Sequence, residues 1–406
     1  MPAPSDAMEA RTARVDAKMR ELVEGGSTPG IIALILKDGR TLHSRAVGVR
    51  EPGGTAPIGA DDLFRYASMT KPVTSVAVLM LIEEGRLGLD DPLGRHLPQF
   101  GAMRVRRPDG ALAPAARTPS LRDLLTHTAG FSYNIMNRPG VVDAYREAGV
   151  GDGTSNAGVT TEEAMRRLAS APLAFEPGAE WHYSLATDVL GAVVERVGGR
   201  PLGDFIAERI ARPLGLRTWT FAAAPEARDR FVPLTRPARV TGALGTGTVP
   251  VAAAERVPLP LTGGEALIDP KAIFAAAGYQ SGGVGMGGDT RDYARFAQML
   301  LEGGELDGVR ILRPETVRRM TENHTGALPV ALRGPGWGFG LGVAVLLDPA
   351  AANTGMPPGS YGWNGIYGTQ FWVDPRERIV GLVMTQTALI GAAVTNPVRD
   401  AFYAVE

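Results

Sequence analysis

Cysteine is absent from this 406-residue chain. That excludes disulfides, thiolate metal ligands and a cysteine nucleophile together, and it leaves hydroxyls as the leading nucleophiles. Lysine is scarce as well, at positions 18, 37, 71 and 271 only, so arginine carries nearly all the positive charge. Net charge is also missing: 42 Lys and Arg against 43 Asp and Glu leave −1, and no global field draws nucleic acid or an anionic membrane. No apolar run of about eighteen residues occurs. Met1 to Glu24 is polar and helical in pattern, without the apolar run and small-residue cleavage site of a secretory signal, so a cytoplasmic location is expected. The five histidines, at 43, 96, 127, 182 and 324, show no ligand spacing and no His-Glu-x-x-His, so neither a metal nor another cofactor is expected. Gly-x-Ser-x-Gly is absent too, which argues against an ordinary α/β-hydrolase triad and for a serine base other than imidazole.

What the chain does contain is Ser68-Met69-Thr70-Lys71, a hydroxyl and a primary amine one helical turn apart. Arginine stays protonated at any accessible pH, whereas a buried lysine can give up its proton and act as a base, so the rare basic residue differs chemically from the common one. Val73, Val76, Ala77, Met80 and Leu81 recur at helical spacing, and Glu83, Glu84 and Gly85 supply a polar end with a glycine cap. Ser68 then opens a buried helix, near free N–H groups and the positive end of the helix dipole, a setting that suits an activated nucleophile. The competing reading is a serine N-cap that precedes a lysine by coincidence.

With 44% hydrophobic and 21% charged residues the chain can bury one large core or two, and disorder is not expected. Gly30 to Lys37 reads as an apolar strand, Asp38-Gly39 as a two-residue hairpin turn, and Thr41 to Val49 as the returning strand. Gly338 to Leu347, Thr369 to Val373 and Arg378 to Thr387 read as three more strands near the other end. The expected fold is α/β of the α+β type: an antiparallel sheet of five or more strands built from both chain ends and flanked by helical segments Ala7 to Val23 and Pro397 to Val405. That sheet unit spans 1–88 and 276–406, and a mainly helical unit, 89–275, is inserted in it with no run of strands. Its helices are Leu121 to His127, Thr161 to Ser170, Leu185 to Val197 and Pro201 to Arg212, while Ala222 to Ile268 is too rich in Pro, Gly and Ala to assign. A cleft between the two units is the natural binding place.

Gly283-Val284-Gly285-Met286-Gly287-Gly288 matches G-x-G-x-x-G, but no buried parallel strand precedes it and no strand–helix alternation follows. It reads better as a turn where backbone passes close to backbone or substrate.

Three further blocks join Ser68-x-x-Lys71 in a fixed order: Leu124-Leu125-Thr126-His127-Thr128-Ala129-Gly130, Tyr183-Ser184-Leu185-Ala186-Thr187-Asp188, and Gly362-Trp363-Asn364-Gly365-Ile366. Together they resemble the serine β-lactamase and penicillin-binding-protein superfamily over nearly the full chain, and within it the class C-like branch that contains the family VIII carboxylesterases. The resemblance implies a β-lactamase-like fold, Ser68 as nucleophile, Lys71 and Tyr183 as its general base, and the backbone N–H groups of Ser68 and Ile366 as oxyanion hole. Trp363, Asn364, Gly365 and Leu185 are then the substrate contacts. Trp363 stands where the lactamases carry the lysine of Lys-Thr-Gly, and Leu185 where they carry the asparagine of Tyr-x-Asn. Loss of that cation and that amide favours a small, neutral ester over a penicillin or a peptide. The expected activity is a serine carboxylesterase acting on short-chain esters through an acyl-enzyme. An acyltransferase of the same fold, a β-lactamase or D-amino peptidase, and a non-catalytic sensor on the same scaffold are the alternatives. His127 and His182 are expected to be hydrogen-bonded structural residues.

Overall fold

A computed structural model describes residues 4–404 apart from 137, 156–157, 242–243, 260–262, 276–277 and 390. The unbroken apolar run Ile31 to Leu36 forms strand β1 (Gly30–Lys37), buried on both faces. Alternation sends Ile32, Leu34 and Leu36 into one core and Ile31, Ala33 and Ile35 into another, so this strand has no polar side. Asp38 and Gly39, with φ of 50° and 74°, make the tight turn that Asp-Gly favours, and β2 (Arg40–Gly48) returns antiparallel.

Strands β3 (Trp337–Phe339), β4 (Ala344–Leu346), β5 (Tyr361–Gly365), β6 (Thr369–Asp374) and β7 (Ile379–Met384) come from the far end of the chain. They complete a seven-stranded antiparallel sheet in the order β3-β4-β5-β6-β7-β1-β2. Five helices position the site and cover the sheet: α1 (Pro4–Glu24), α2 (Thr70–Glu83), α3 (Ala186–Gly198), α4 (Thr290–Leu301) and α5 (Gly391–Tyr403). α1 and α5 close one face, with Val15, Met19, Val394, Val398 and Phe402 packed on Ile31, Ala33, Trp372 and Val383. α2, α3 and α4 build the larger core on the other. Every residue of α2 from Thr70 to Leu81 is buried, the mark of a helix enclosed on all sides. Among the described residues no helix is long and apolar enough to cross a membrane.

The structure departs from the sequence reading in four places. Gly338 to Leu347 is two strands, because Gly342 at φ 99° turns the chain with its Cα pressed on Ser75 of α2, where an added Cβ would lie 2.0 Å from the hydroxyl. Tyr361–Gly365 is a strand that its two glycines and asparagine conceal; pairing on both sides by β4 and β6 overrides weak propensity. The stretch 89–275 is not free of strands: hairpins pair Arg104–Arg106 with Leu112–Pro114, Thr235–Thr241 with Leu244–Pro250, and Glu255–Leu259 with Gly264–Ile268. Last, α5 begins at Gly391, and Pro397 sits inside it rather than at its first turn, because burial of Val394 and Val398 outweighs one lost backbone hydrogen bond. Position 276 and Val405, used as bounds in the sequence reading, lie outside the described residues.

Candidate active site

Ser68 does not cap a helix. It lies in a single 3₁₀ turn, Ala67–Met69, that runs directly into α2, and neither the turn nor the helix has a side-chain cap. Ala67 before it holds φ 49° while fully buried, a left-handed conformation that a non-glycine residue keeps only where its surroundings impose it. The end of β5 supplies that imposition. A Cβ on Gly365 would lie 2.3 Å from the Tyr66 carbonyl oxygen, so strand and turn touch backbone to backbone there. The contact brings Ile366 to Ala67, in one apolar cluster. The N–H groups of Ser68 and Ile366 have no hydrogen-bond partner among the described residues.

One turn along α2, Lys71 is 1% exposed. Its Nζ donates to the Gly283 carbonyl at 3.0 Å, to Tyr133 Oη at 2.9 Å and to Ser68 Oγ at 3.4 Å. The rings of Tyr183 and Tyr133 flank it with centroids at 4.6 and 5.1 Å. The Gly283–Gly288 run is thus the close backbone approach read from sequence: a Cβ on Gly283 would lie 2.2 Å from Asp188 Oδ2. Asp188, fully buried on α3, accepts hydrogen bonds from Tyr133 at 3.3 Å, Tyr279 at 2.6 Å and Ser281 at 2.5 Å. Burial pushes its carboxyl above the usual carboxylate range, and Lys71 with the Ser281 and Tyr279 hydroxyls pulls the other way.

Tyr183 Oη donates to Ser68 Oγ at 2.6 Å, and Trp363 Nε1 on β5 donates to Tyr183 Oη at 3.4 Å. Ser68 Oγ is therefore held between an amine and a phenol. His127 packs on the Tyr183 ring at 5.0 Å and meets Ser184 Oγ at 3.3 Å; burial, then Lys71, hold its pKa far below the ordinary value, so it is neutral and structural.

These groups open on a cavity of about 400 Å³ lined by Ser68, Tyr133, Tyr183, Trp363, Asn364, Gly365 and Ile366, with Asp152, Arg333 and Arg399 among the others. Leu185 is the exception among the sequence-derived contacts. Its backbone has already turned helical, φ −65° and ψ 7°, as the residue before α3, and its side chain is buried in the core away from the cavity. Sequence reasoning missed Tyr133 and Arg333, and it quoted Asp188 as the end of the Tyr183 block without giving it a role. An acid directly before the apolar stretch Val189 to Val194 was a further signal for Asp188; for Tyr133 and Arg333 there was none.

His182 bonds Ser132 Oγ through Nε2 at 2.9 Å, and burial pushes it down to about 4. The unfolded imidazole takes up a proton well above that value, so the folded state loses stability as pH falls from about 6.5 to 4. The penalty reaches about 2 to 3 kcal/mol at pH 4.5. Asp152, pushed up to about 7 by burial, has the opposite slope over the same range and masks it in the parent profile. Denaturant unfolding at pH 7 and 4.5 separates the two: His182→Gln is expected to gain about 2 kcal/mol on the parent upon acidification. An unchanged difference between the two pH values would rule out titration of His182.

Residues 15–403 match the Beta-lactamase family. Esterase EstB of Burkholderia gladioli is 38% identical over 97% of this chain and 95% of its own length. Acyltransferase calJ of Penicillium decumbens is 28% identical, covering 87% of this chain and 82% of that protein. A solved structure described as EstCE1, a hydrolase with promiscuous acyltransferase activity, has a TM-score of 0.86 at 33% identity, over 98% of this chain and 100% of that one. A serine–lysine–tyrosine cluster at the junction of a buried helix and an antiparallel sheet, within matches of this length, leaves one family assignment: the chain belongs to the beta-lactamase family, on the branch of the family VIII carboxylesterases.

Proposed function

We propose that the protein is a serine carboxylesterase that cleaves short-chain esters through an acyl-enzyme on Ser68. The observation that carries this reading is Ser68 Oγ held 2.6 Å from a phenol and 3.4 Å from a buried amine on the wall of a cavity. To act as base, Lys71 keeps N–H bonds to Gly283 and Tyr133 and offers a lone pair to Ser68. The Ser68 proton passes to Lys71 as Oγ attacks the ester carbonyl carbon, and the oxyanion forms at the N–H groups of Ser68 and Ile366. On collapse the C–O bond to the alcohol breaks, the alkoxide takes the Tyr183 proton, and Tyr183 is reprotonated from Lys71. Water then repeats the sequence in place of Ser68 and releases the acid. Asp188 acts through Tyr133 as a positioning residue, fixing the phenol that orients Lys71 and offering a negative charge to the ammonium that forms. The same reading keeps the two-unit division of the chain, 1–88 with 276–406 around 89–275, since the cavity takes walls from both.

Trp363 in place of a lysine weighs against a penicillin substrate, and an intact Ser68, Lys71 and Tyr183 weighs against a retired scaffold. Acyl transfer is the second reading, favoured by the two relatives whose names include it and by a cavity with room for an acceptor alcohol. A fluorophosphonate is expected to inactivate the protein with one label per chain on the Ser68 peptide. A label elsewhere, or none with activity retained, would dismiss the acyl-enzyme. Product analysis with nitrophenyl butyrate in water and added short alcohols then divides hydrolysis from transfer.

A further inference from the structure

The sequence predicts that replacing the lysine of the third motif by Trp363 removes the cation from the substrate wall. The structure returns one from another element. Arg333, in the loop before β3, lies with Cζ 4.8 Å from the Trp363 ring centroid and 5.2 Å from that of Trp337, and it lines the cavity with Ser68. Its backbone N–H is bonded to Val330, but among the described residues its guanidinium has no hydrogen bond and no ion pair. Five donors in a planar fork, in contact with two indoles, are unspent on the described residues.

The charges around it sharpen the point. Arg399 lines the same cavity and is committed to Asp400, with Nε at 2.8 Å from Oδ1. Asp152 is bonded to the backbone and side-chain nitrogens of Asn134 at 2.9 and 3.0 Å. Burial and the like charge of Arg399 both press against protonation of Arg333, yet a guanidinium stays charged. The cavity thus holds one unpaired cation beside the Arg399–Asp400 ion pair, an arrangement that an anion relieves and a neutral ligand does not.

Which part of the substrate bears that anion follows from the order of contacts. Trp363 links Arg333 to Tyr183, and in the proposed reaction Tyr183 hands its proton to the departing alcohol, so the leaving group is the part of the ester assigned to Arg333. We propose that Arg333 binds a carboxylate on the alcohol portion of the ester, making short-chain acyl esters of hydroxy acids the preferred substrate class. The inference deepens the esterase reading and rests on it.

The test uses the full-length protein, 4-acetoxybenzoate and its neutral isostere 4-acetoxybenzamide, with the 3-substituted pair to cover a shift in geometry. Arg333→Gln is expected to lower kcat/KM for an acetoxybenzoate by ~10-fold or more, mainly through KM, while the benzamides change less than about twofold. Arg333→Lys retains the charge without the fork and falls between. Added salt is expected to narrow the parent's advantage. Independently of turnover, 4-hydroxybenzoate is expected to inhibit parent hydrolysis of nitrophenyl acetate more strongly than 4-hydroxybenzamide does, and Arg333→Gln to erase that difference. Equal losses on acid and amide would mean that Arg333 only packs on the two indoles, and unchanged rates on both would mean no contact at all; either overturns the proposal while leaving the esterase intact. A parent that turned over none of these esters, with Ser68 unlabelled by fluorophosphonate, would fail the esterase reading itself.

Discussion

Exchanging Lys71 for arginine is expected to lower kcat on a short-chain nitrophenyl ester by ~10³-fold or more, with the circular dichroism spectrum unchanged. General-base catalysis is worth about 10² to 10⁴ in rate, and arginine keeps the charge of lysine while refusing to give up its proton. The site adds a steric reason. Lys71 is 1% exposed, its amine is closed in by the Tyr133 and Tyr183 rings, and each of its three polar partners lies within 3.4 Å. A fork of five donors in that space leaves N–H groups unsatisfied or pushes Tyr183 away from Ser68. Lys71→Met, which keeps the length without charge or base, separates the two causes: if it refolds normally and is equally inactive, the missing lone pair is responsible. Turnover of Lys71→Arg within tenfold of the parent would remove Lys71 as the base.

Gly365→Ala is expected to cost ~10² to 10³ in kcat, about what an oxyanion-hole donor contributes. An added Cβ would lie 2.3 Å from both the Tyr66 carbonyl oxygen and Thr369 Oγ1, and 3.1 Å from the Ala67 Cβ. The threonine can rotate, but the carbonyl belongs to the backbone that holds Ser68 and cannot move cheaply. The strand end must therefore retreat, taking the Ile366 N–H with it. Thermal unfolding should fall by several degrees, because a buried backbone contact is pried apart. Gly59→Ala, where nothing lies within 4 Å of the new methyl group, is the control and should match the parent in both measurements. A Gly365→Ala protein with kcat within threefold of the parent would show that this backbone contact does not set the oxyanion geometry.

Much of the site was readable because its residues are local. Ser68 and Lys71 are three apart where a 3₁₀ turn runs into α2, so a helical pattern alone brings hydroxyl and amine to the same face, and the structure finds Nζ at 3.4 Å from Oγ. The β1–β2 hairpin was legible for the same reason, its turn chemistry and its period both lying within a few residues. Tyr183 and Trp363 came from motif resemblance rather than from any property of their neighbours. Leu185 shows the limit of that transfer: a position in a motif does not fix where a side chain points once the backbone turns into a helix.

What the sequence by itself determined is the chemistry on offer: a serine with no cysteine or histidine rival, and a lysine kept where arginine is otherwise the rule. Only the tertiary structure decided how that chemistry is poised. Tyr133 meets Lys71 from 62 positions away, Gly283 from 212, and Trp363 reaches Tyr183 across 180. Contacts of that separation follow from strand pairing and core packing, which are properties of the whole chain and leave no periodic trace near any one residue. The same holds for Arg333. Nothing around it in the sequence marks it as a ligand, and its unpaired charge becomes visible only when β3 and β5 bring two indoles against it.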